Sequence, residues 1–266
     1  MPQLAVDGAG MTYDDEGPHD GDGGVPLVFI HGWTADRHRW DHQMAHFAAK
    51  RRVVRLDLRG HGESEGAART IEELAGDVIA LLDHLEIDRF IPVGHSMGGM
   101  IAQTLALAHP ERIERLVLVN SISRMTYSRG RGLLMAASTL VPFKLFVAAN
   151  IQRAFAPGHP REEVREYIRS SSATPREVVM TYYAAMRSFD VLDRVGEIRM
   201  PTLLVHGYYD IQLPVSQMLR MAKDYPDAVV RIVDAGHELP VEKPAELTSA
   251  LDWFVTGQVG GVQLVG

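Results

Sequence analysis

The stretch RFIPVGHSMGG, residues 89–99, decides the fold, because an apolar run leads directly into a serine flanked by glycines. Gly94, Ser96 and Gly98 fit the pattern G-x-S-x-G, and a helical pattern rich in alanine and leucine follows at once. A strand, turn and helix in this order expose the serine hydroxyl at the edge of a sheet, and the glycines supply the clearance that the tight turn needs. A glycine-rich turn with an incidental serine is the alternative. The strand and helix on either side favour Ser96 as a nucleophile.

Strand-like and helix-like runs alternate through most of the chain, which is typical of a mostly parallel sheet covered by helices. An antiparallel opening pair, LAV and MTYDD, precedes apolar runs at residues 25–31, 52–57, 89–94, 113–120, 202–207 and 229–234. Helical patterns cover residues 40–50, 71–85 with Thr70 as N-cap, 97–108 and 241–256. We therefore predict an α/β fold with a mostly parallel central sheet of about eight strands and flanking helices.

The alternation stops between residues 121 and 200, which contain helical stretches and no convincing strand. A helical insertion here is expected to cap the carboxyl edge of the sheet, where open α/β folds bind ligands. The predicted division is a core of residues 1–120 and 201–256, a helical cap of residues 121–200 and a poorly ordered tail of residues 257–266.

Composition excludes several classes of protein. The 266 residues carry a formal net charge of -7 and no cysteine, so nucleic acid is not an expected partner and thiolate chemistry is ruled out. The N-terminus lacks the basic segment and apolar core of a secretory signal, which favours a cytoplasmic protein. Residues 132–151 have the length of a membrane span, but Pro142 and Lys144 interrupt them, so no span is expected.

Three further segments accompany the serine motif. HGW follows the strand pattern that ends at residue 31, DLRGHGES occupies residues 57–64, and Gly236-His237 lies near the C-terminus. Together, in this order and these contexts, the four segments resemble the α/β-hydrolase superfamily over nearly the whole chain. The resemblance implies the α/β-hydrolase fold and hydrolysis by an activated serine, and it leaves the substrate open.

A serine hydroxyl needs a base that removes its proton and later protonates the leaving group. Of the twelve histidines, His237 follows the last strand pattern and comes after the serine and the acid, the chain order of this fold. The rival histidines have structural interpretations. Glycine turns contain His31, His61 and His95, a strand contains His206, and His84 and His109 lie near helix ends. One early helical region, where exposure to solvent is the default, contains His38, His42 and His46.

Asp210 is the expected acid, because it lies on the loop after the strand pattern TLLVHG. The alternative is an ordinary turn carboxylate. Some members of the superfamily place the acid after the preceding strand, where this chain has Asn120, which cannot act as a carboxylate. Asp234 and Glu238 flank the histidine and are too close to it in sequence to orient its ring.

Backbone N–H groups stabilise the developing oxyanion in this fold. The resemblance implies the amides of Met97, next to the serine, and of Trp33, after His31-Gly32. The Trp33 indole could equally pack a pocket wall, so amide and indole can have separate roles. Residues 57–64 are interpreted as a structural turn beside the site.

The apolar and aromatic content of residues 121–200 predicts the substrate class, because ligand clefts are lined mainly by such side chains. The candidate pocket residues are Met125, Tyr127, Met135, Phe143, Phe146, Tyr182, Tyr183 and Met186. We expect hydrolysis of a small to medium apolar carboxylic ester or lactone through an acyl-enzyme. A carbon–carbon bond hydrolase, a cofactor-free perhydrolase and a ligand-binding or receptor protein on a hydrolase scaffold stay open. The spacing of the histidines does not match a metal-binding motif, and the sequence implies no cofactor. It does not determine the oligomeric state.

Overall fold

The structure is a computed structural model that describes residues 2–6, 8–19, 23–125 and 142–257. Its strands are β1 (Gln3–Val6), β2 (Ala9–Glu16), β3 (Leu27–Ile30), β4 (Val53–Leu56), β5 (Ile91–His95), β6 (Leu116–Val119), β7 (Thr202–Gly207) and β8 (Ala228–Val233). Its α-helices are α1 (Asp41–Phe47), α2 (Ile71–His84), α3 (Met97–Ala108), α4 (Phe143–Gln152), α5 (Arg161–Ser171), α6 (Arg176–Ser188), α7 (Val215–Met221), α8 (Leu239–Glu242) and α9 (Pro244–Val255).

The eight strands form one sheet in the order β1-β2-β4-β3-β5-β6-β7-β8. β2 pairs antiparallel with both β1 and β4. All the other neighbours in the sheet, including β3 between β4 and β5, pair parallel. The predicted eight-stranded, mostly parallel sheet is therefore confirmed. The strand order reverses between β3 and β5, so the loops that follow these two strands diverge. Such a switch point leaves a crevice at the carboxyl edge, where α/β folds place their ligands.

Apolar side chains cover both faces of the sheet. In β3, Leu27 and Phe29 pack into one core with Trp40, α1 and α9, while Val28 and Ile30 pack into the other core with α2 and α3. Alternate side chains of a strand point to opposite faces, so this strand serves both layers. All four of its residues are buried, which explains why its sequence is a continuous apolar run.

Helix boundaries follow local signals where those signals are strong. Thr70 accepts a hydrogen bond from the Glu73 N–H, and Glu73 accepts one in return from the Arg69 N–H, so α2 begins with the predicted cap. The helix predicted over residues 241–256 is instead two helices, α8 and α9, which meet at Lys243. Pro244 causes the break, since it lacks an N–H and opens the second helix.

Helices α4, α5 and α6 lie between β6 and β7, and the described residues from 121 to 200 contain no strand of the sheet. α4 has ten residues and begins after Pro142. None of the described helices has the length and apolar character that crossing a membrane requires. Residues 126–141 and 258–266, which include part of the predicted cap and most of the predicted tail, lie outside the described residues.

Candidate active site

Ser96 lies in the turn between β5 and α3 with φ 53° and ψ -114°. The backbone of a residue other than glycine is strained at positive φ, so the surrounding structure must hold Ser96 in this conformation. The Ser96 N–H donates to the Val119 carbonyl of the neighbouring strand. A side chain at Gly94 would clash with the Gly98 backbone, and one at Gly98 would clash with the Ile30 backbone. The sharp turn at the serine therefore depends on both glycines of the motif.

Ser96, His237 and Asp210 form one hydrogen-bonded chain, although 141 residues separate the serine from the histidine. The Ser96 hydroxyl lies 3.0 Å from His237 Nε2, and His237 Nδ1 lies 2.7 Å from Asp210 Oδ2. All three residues are buried, with 9%, 4% and 3% of their surfaces exposed. The loops after β5, β7 and β8 thus bring together the three side chains singled out in the sequence.

Asp210 is held by four hydrogen bonds. Oδ1 accepts from the backbone N–H groups of Gln212 and Leu213, each at 2.8 Å. Oδ2 accepts from His237 and, at 2.8 Å, from Asn120 Nδ2. Burial alone would raise the pKa of Asp210, but the charge and hydrogen bond of His237, together with His206 and the Asn120 hydrogen bond, outweigh it and lower the pKa to about 2. The carboxylate is therefore ionised at neutral pH.

His237 is held through its backbone and its ring. Its N–H donates to the Ala154 carbonyl at 2.5 Å, and its carbonyl accepts from His95 Nε2 at 2.8 Å. Burial disfavours the imidazolium, but the Asp210 carboxylate, helped by Glu238, raises the pKa of His237 above its ordinary value. Burial lowers the pKa of His95 to about 3, so His95 is neutral. This arrangement favours transfer of the Ser96 proton to His237 Nε2.

Two backbone N–H groups of the loops after β3 and β5 make no backbone hydrogen bond among the described residues. Met97 is the first residue of α3, so its N–H has no partner within the helix. The Trp33 N–H meets no acceptor among the described residues. The preceding loop is fixed by His31, whose Nδ1–H donates to the Gly32 carbonyl and whose Nε2 accepts from the Leu58 N–H. Burial lowers the pKa of His31 to about 4, so the ring is neutral at neutral pH and holds the loop through these two hydrogen bonds.

The sequence profile of the family described as alpha/beta hydrolase fold matches residues 25–244. The chain belongs to the α/β-hydrolase family. The matched segment contains the serine turn, the Asp210 loop and the His237 loop. Membership of this family makes the protein an enzyme of the α/β-hydrolase type.

Similar proteins span several activities. This α/β hydrolase is 30% identical over 242 residues to a putative carbamate hydrolase RutD of Rhizobium rhizogenes, covering 86% of this chain and 92% of that protein. It is 30% identical over 244 residues to a dihydrolipoyllysine-residue acetyltransferase component of an acetoin cleaving system of Pseudomonas putida, covering 88% of this chain but only 64% of that longer protein. The crystal structure of the enol-lactonase from Burkholderia xenovorans LB400 matches with a TM-score of 0.88 and 29% identity, covering 96% of this chain and 100% of the enol-lactonase chain.

Asn120 has a role that sequence analysis missed. It follows β6 with φ 45° and donates from Nδ2 to Asp210 Oδ2 and, at 3.2 Å, to the Gly236 carbonyl. It therefore connects the loop that carries the acid with the loop that carries the histidine. Its position at the end of a central strand was the available signal, but the sequence analysis considered this position only for an acid.

Glu242 was not singled out in the sequence, yet its carboxylate holds the histidine loop. It accepts from the N–H groups of Gly236 and Glu238, at 3.0 and 3.1 Å, and from the Ala156 N–H at 2.7 Å. Ala156 belongs to the segment between α4 and α5. One carboxylate therefore joins this segment to the loop that presents His237. The sequence gives no signal for these three hydrogen bonds, because every residue other than proline has a backbone N–H that could donate.

A buried ion pair lies beside His237. Arg39 Nη1 lies 2.9 Å from Glu238 Oε2, and the two side chains are only 2% and 7% exposed. The Arg39 guanidinium also lies over the Tyr167 ring of α5, 3.7 Å from its centroid. Glu238 pairs with Arg39, whereas His237 Nδ1 bonds to Asp210. Its charge nevertheless helps to raise the pKa of His237.

The candidate pocket residues have different surroundings. Phe146, Tyr183 and Met186 are buried, whereas Met125 and Phe143 are partly buried. The Tyr182 hydroxyl donates to the Arg59 carbonyl and accepts from the Ala68 N–H, so Tyr182 attaches α6 to the rest of the protein. Tyr127 and Met135 lie outside the described residues.

Trp33 spans two parts of the molecule. Its indole Nε1–H donates to the Val179 carbonyl of α6 at 2.9 Å, and its ring centroid lies 5.9 Å from that of Tyr183. The backbone of Trp33 belongs to the loop after β3, beside the serine. The indole therefore bonds to α6, while the backbone N–H has no acceptor among the described residues, so the two groups can have separate roles.

Proposed function

We propose that this α/β hydrolase is a serine hydrolase that cleaves a small to medium apolar carboxylic ester or lactone through an acyl-enzyme. Ser96 is the nucleophile, His237 the general base and Asp210 the acid that orients it. The observation that carries the proposal is the chain of hydrogen bonds from Ser96 Oγ through the imidazole to the Asp210 carboxylate. A serine with a base in reach, and a base oriented by a third group, is the arrangement that nucleophilic catalysis requires.

The proposed reaction has two stages. His237 Nε2 takes the Ser96 proton as Oγ attacks the substrate carbonyl, and the Met97 and Trp33 N–H groups receive the oxyanion. The intermediate collapses when the leaving alkoxide accepts the proton from His237, which leaves the acyl group on Ser96. Water then attacks the acyl-enzyme with the same base, and the acid product and Ser96 are released. Asp210 stays ionised throughout and stabilises the imidazolium.

The substrate class is inferred from the helices between β6 and β7. We propose residues 121–200 as a cap over a core of residues 1–120 and 201–256, with Trp33, Tyr183 and Met186 on the apolar wall that faces the substrate. The ring contact between Trp33 and Tyr183 supports this placement. The enol-lactonase activity of the similar protein from Burkholderia xenovorans supports lactones beside esters. Each buried acyl methylene should add about 0.8 kcal/mol of binding until the pocket is full.

The test is a hydrolysis panel of p-nitrophenyl esters with graded acyl chains, together with simple lactones. We expect kcat/KM to rise over the first few acyl carbons and then to level off, and Ser96→Ala to reduce turnover to background. A phosphonate probe followed by mass spectrometry should modify Ser96 and no other serine. An adduct on another serine, or full activity in Ser96→Ala, would contradict the assignment of the nucleophile. A preference for acetate esters over every longer acyl group would contradict the apolar pocket.

A further inference from the structure

A cleft lies beside the loop that carries Asp210. It has a volume of about 840 Å³, within the usual range of ligand pockets. The end of α4, the start of α5 and the residues that follow β7 form its walls. Asp210 contributes to one wall, whereas Ser96 and His237 do not. The cleft therefore does not contain the serine or the histidine, and it meets the triad only at Asp210.

Three guanidinium groups line this cleft, from Arg153, Arg161 and Arg165. All three residues are exposed, and none of them makes an ion pair or a side-chain hydrogen bond within the described part of the chain. Arg161 and Arg165 are four residues apart on α5 and share one helix face. Among the described residues of the wall, Asp210 is the one carboxylate, and it is directed at His237. The described residues of the wall therefore carry three arginine charges against one carboxylate, in a chain with a net charge of -7.

The same cleft collects exposed apolar surface. Tyr208, Tyr209 and Ile211 are 61%, 41% and 48% exposed, and Leu145 is the other large hydrophobic residue exposed among the described residues. The two tyrosine rings meet edge to face at 5.1 Å. Val164 adds an aliphatic side chain from the arginine face of α5. Exposed apolar side chains gathered in one place indicate a binding surface more often than scattered ones do.

We propose that this cleft binds a small amphipathic carboxylate, with its head group on Arg161 and Arg165 and its apolar body against Tyr208, Tyr209 and Ile211. The planar guanidinium fork matches the two oxygens of a carboxylate, and two such groups one helical turn apart can converge on one head group. The concave shape favours a small molecule over a flat membrane surface. The acid released from an apolar ester belongs to this chemical class, but binding in the cleft does not require that the chain hydrolyse esters.

The test is isothermal titration calorimetry of the wild-type chain with decanoate, with decanol and acetate as probes that lack the charge or the apolar body. We expect saturable decanoate binding that weakens as salt is added, and markedly weaker binding of both other probes. The double variant Arg161→Gln/Arg165→Gln should weaken decanoate binding by about tenfold or more. Arg169→Gln, an exposed arginine on α5 outside the cleft, is the matched control and should bind as the wild type does.

Circular dichroism of each variant establishes that the fold is retained, which is expected because the substituted side chains are exposed. Decanoate binding that survives the double variant would place the ligand elsewhere, such as the pocket beside Ser96, and would overturn the proposal. Equal affinity for decanol, or binding to phosphatidylglycerol vesicles without binding of free decanoate, would overturn it as well. Calorimetry needs no turnover, so failure of the proposed esterase activity would leave this result intact and distinguishable.

Discussion

Replacing Asp210 by asparagine should reverse the proton arrangement of His237. The backbone N–H groups of Gln212 and Leu213 both donate to Oδ1, so the amide oxygen of the new side chain must keep that position. Its NH₂ group then faces His237 Nδ1 and the Asn120 amide, where the carboxylate had accepted hydrogen bonds. Asn120 can relieve the contact between two donors by turning its own amide, although the Gly236 carbonyl then loses a donor.

His237 can only respond by accepting at Nδ1, which moves its proton to Nε2. Nε2 then donates towards the Ser96 hydroxyl and cannot take its proton. A reversed tautomer in a serine enzyme costs roughly 10⁴-fold in turnover, about 5.5 kcal/mol of transition-state stabilisation. The pKa of Asp210, lowered to about 2, corresponds to about 2–3 kcal/mol of folding free energy at neutral pH. That contribution is present above the unfolded-state pKa and is lost as pH falls towards 2.

The assay is steady-state hydrolysis of the best p-nitrophenyl ester together with thermal unfolding at neutral pH. Asp210→Asn should lose nearly all turnover. It should remain folded, because the folding free energy that it loses is smaller than the total stability of a typical domain. Asp234→Asn, an exposed carboxylate on the loop after β8, is the matched control and should behave as the wild type does. Turnover of Asp210→Asn within about tenfold of the wild type, or a larger loss in the control, would refute the reasoning.

Three further predictions follow from contacts around the site. Glu238→Gln leaves the Arg39 charge buried without its partner and should lower the free energy of unfolding in urea by roughly 3–5 kcal/mol. The exposed control Glu246→Gln should leave it unchanged, and equal unfolding midpoints for the two variants would contradict the prediction. The value of kcat/KM should fall as pH drops through the raised pKa of His237. Glu238→Gln should move this acidic side of the pH profile to lower pH, because the Glu238 charge helps to raise that pKa. An unchanged profile would show that Glu238 has no electrostatic effect on His237. Stabilisation by protonated His237 is complete below its unfolded-state pKa and is lost as pH rises through the folded value. Trp33→Phe removes the indole donor to the Val179 carbonyl, which keeps its donor within α6, and should cost about 0.5–1.5 kcal/mol in thermal unfolding. An unchanged melting temperature would mean that water replaces the indole.

The sheet could be predicted because its information is local. Most of the parallel strands are apolar runs that are covered on both faces, and the serine turn joins one such run to a helix within a few residues. Ser96, Asp210 and His237 could be placed at one edge because the carboxyl ends of parallel strands share that edge. Chain order then distinguished His237 from the other histidines. Helix α7 was missed, since it is short and only two of its residues are buried.

The contacts around these three residues could not be predicted, because they depend on distances that the sequence does not contain. Glu242 bonds to backbone donors, and Arg39 meets Glu238 across almost 200 residues. Such pairs leave no periodic signal. Asn120 cannot act as a carboxylate, and the sequence does not show that its amide reaches Asp210. A buried ion pair beside the base becomes visible only when the loops are placed in space.

The carbonyl of Ala154 and the N–H of Ala156 have a consequence for protein engineering. They bond to the His237 N–H and to the Glu242 carboxylate, so the helical segment between β6 and β7 supplies part of the support of the base. Chimeras that exchange this segment for that of another hydrolase, in order to change selectivity, would also replace those two bonds. A transplant that keeps residues 154–156 in place should retain chemistry while its specificity changes. One that removes them should slow every substrate alike.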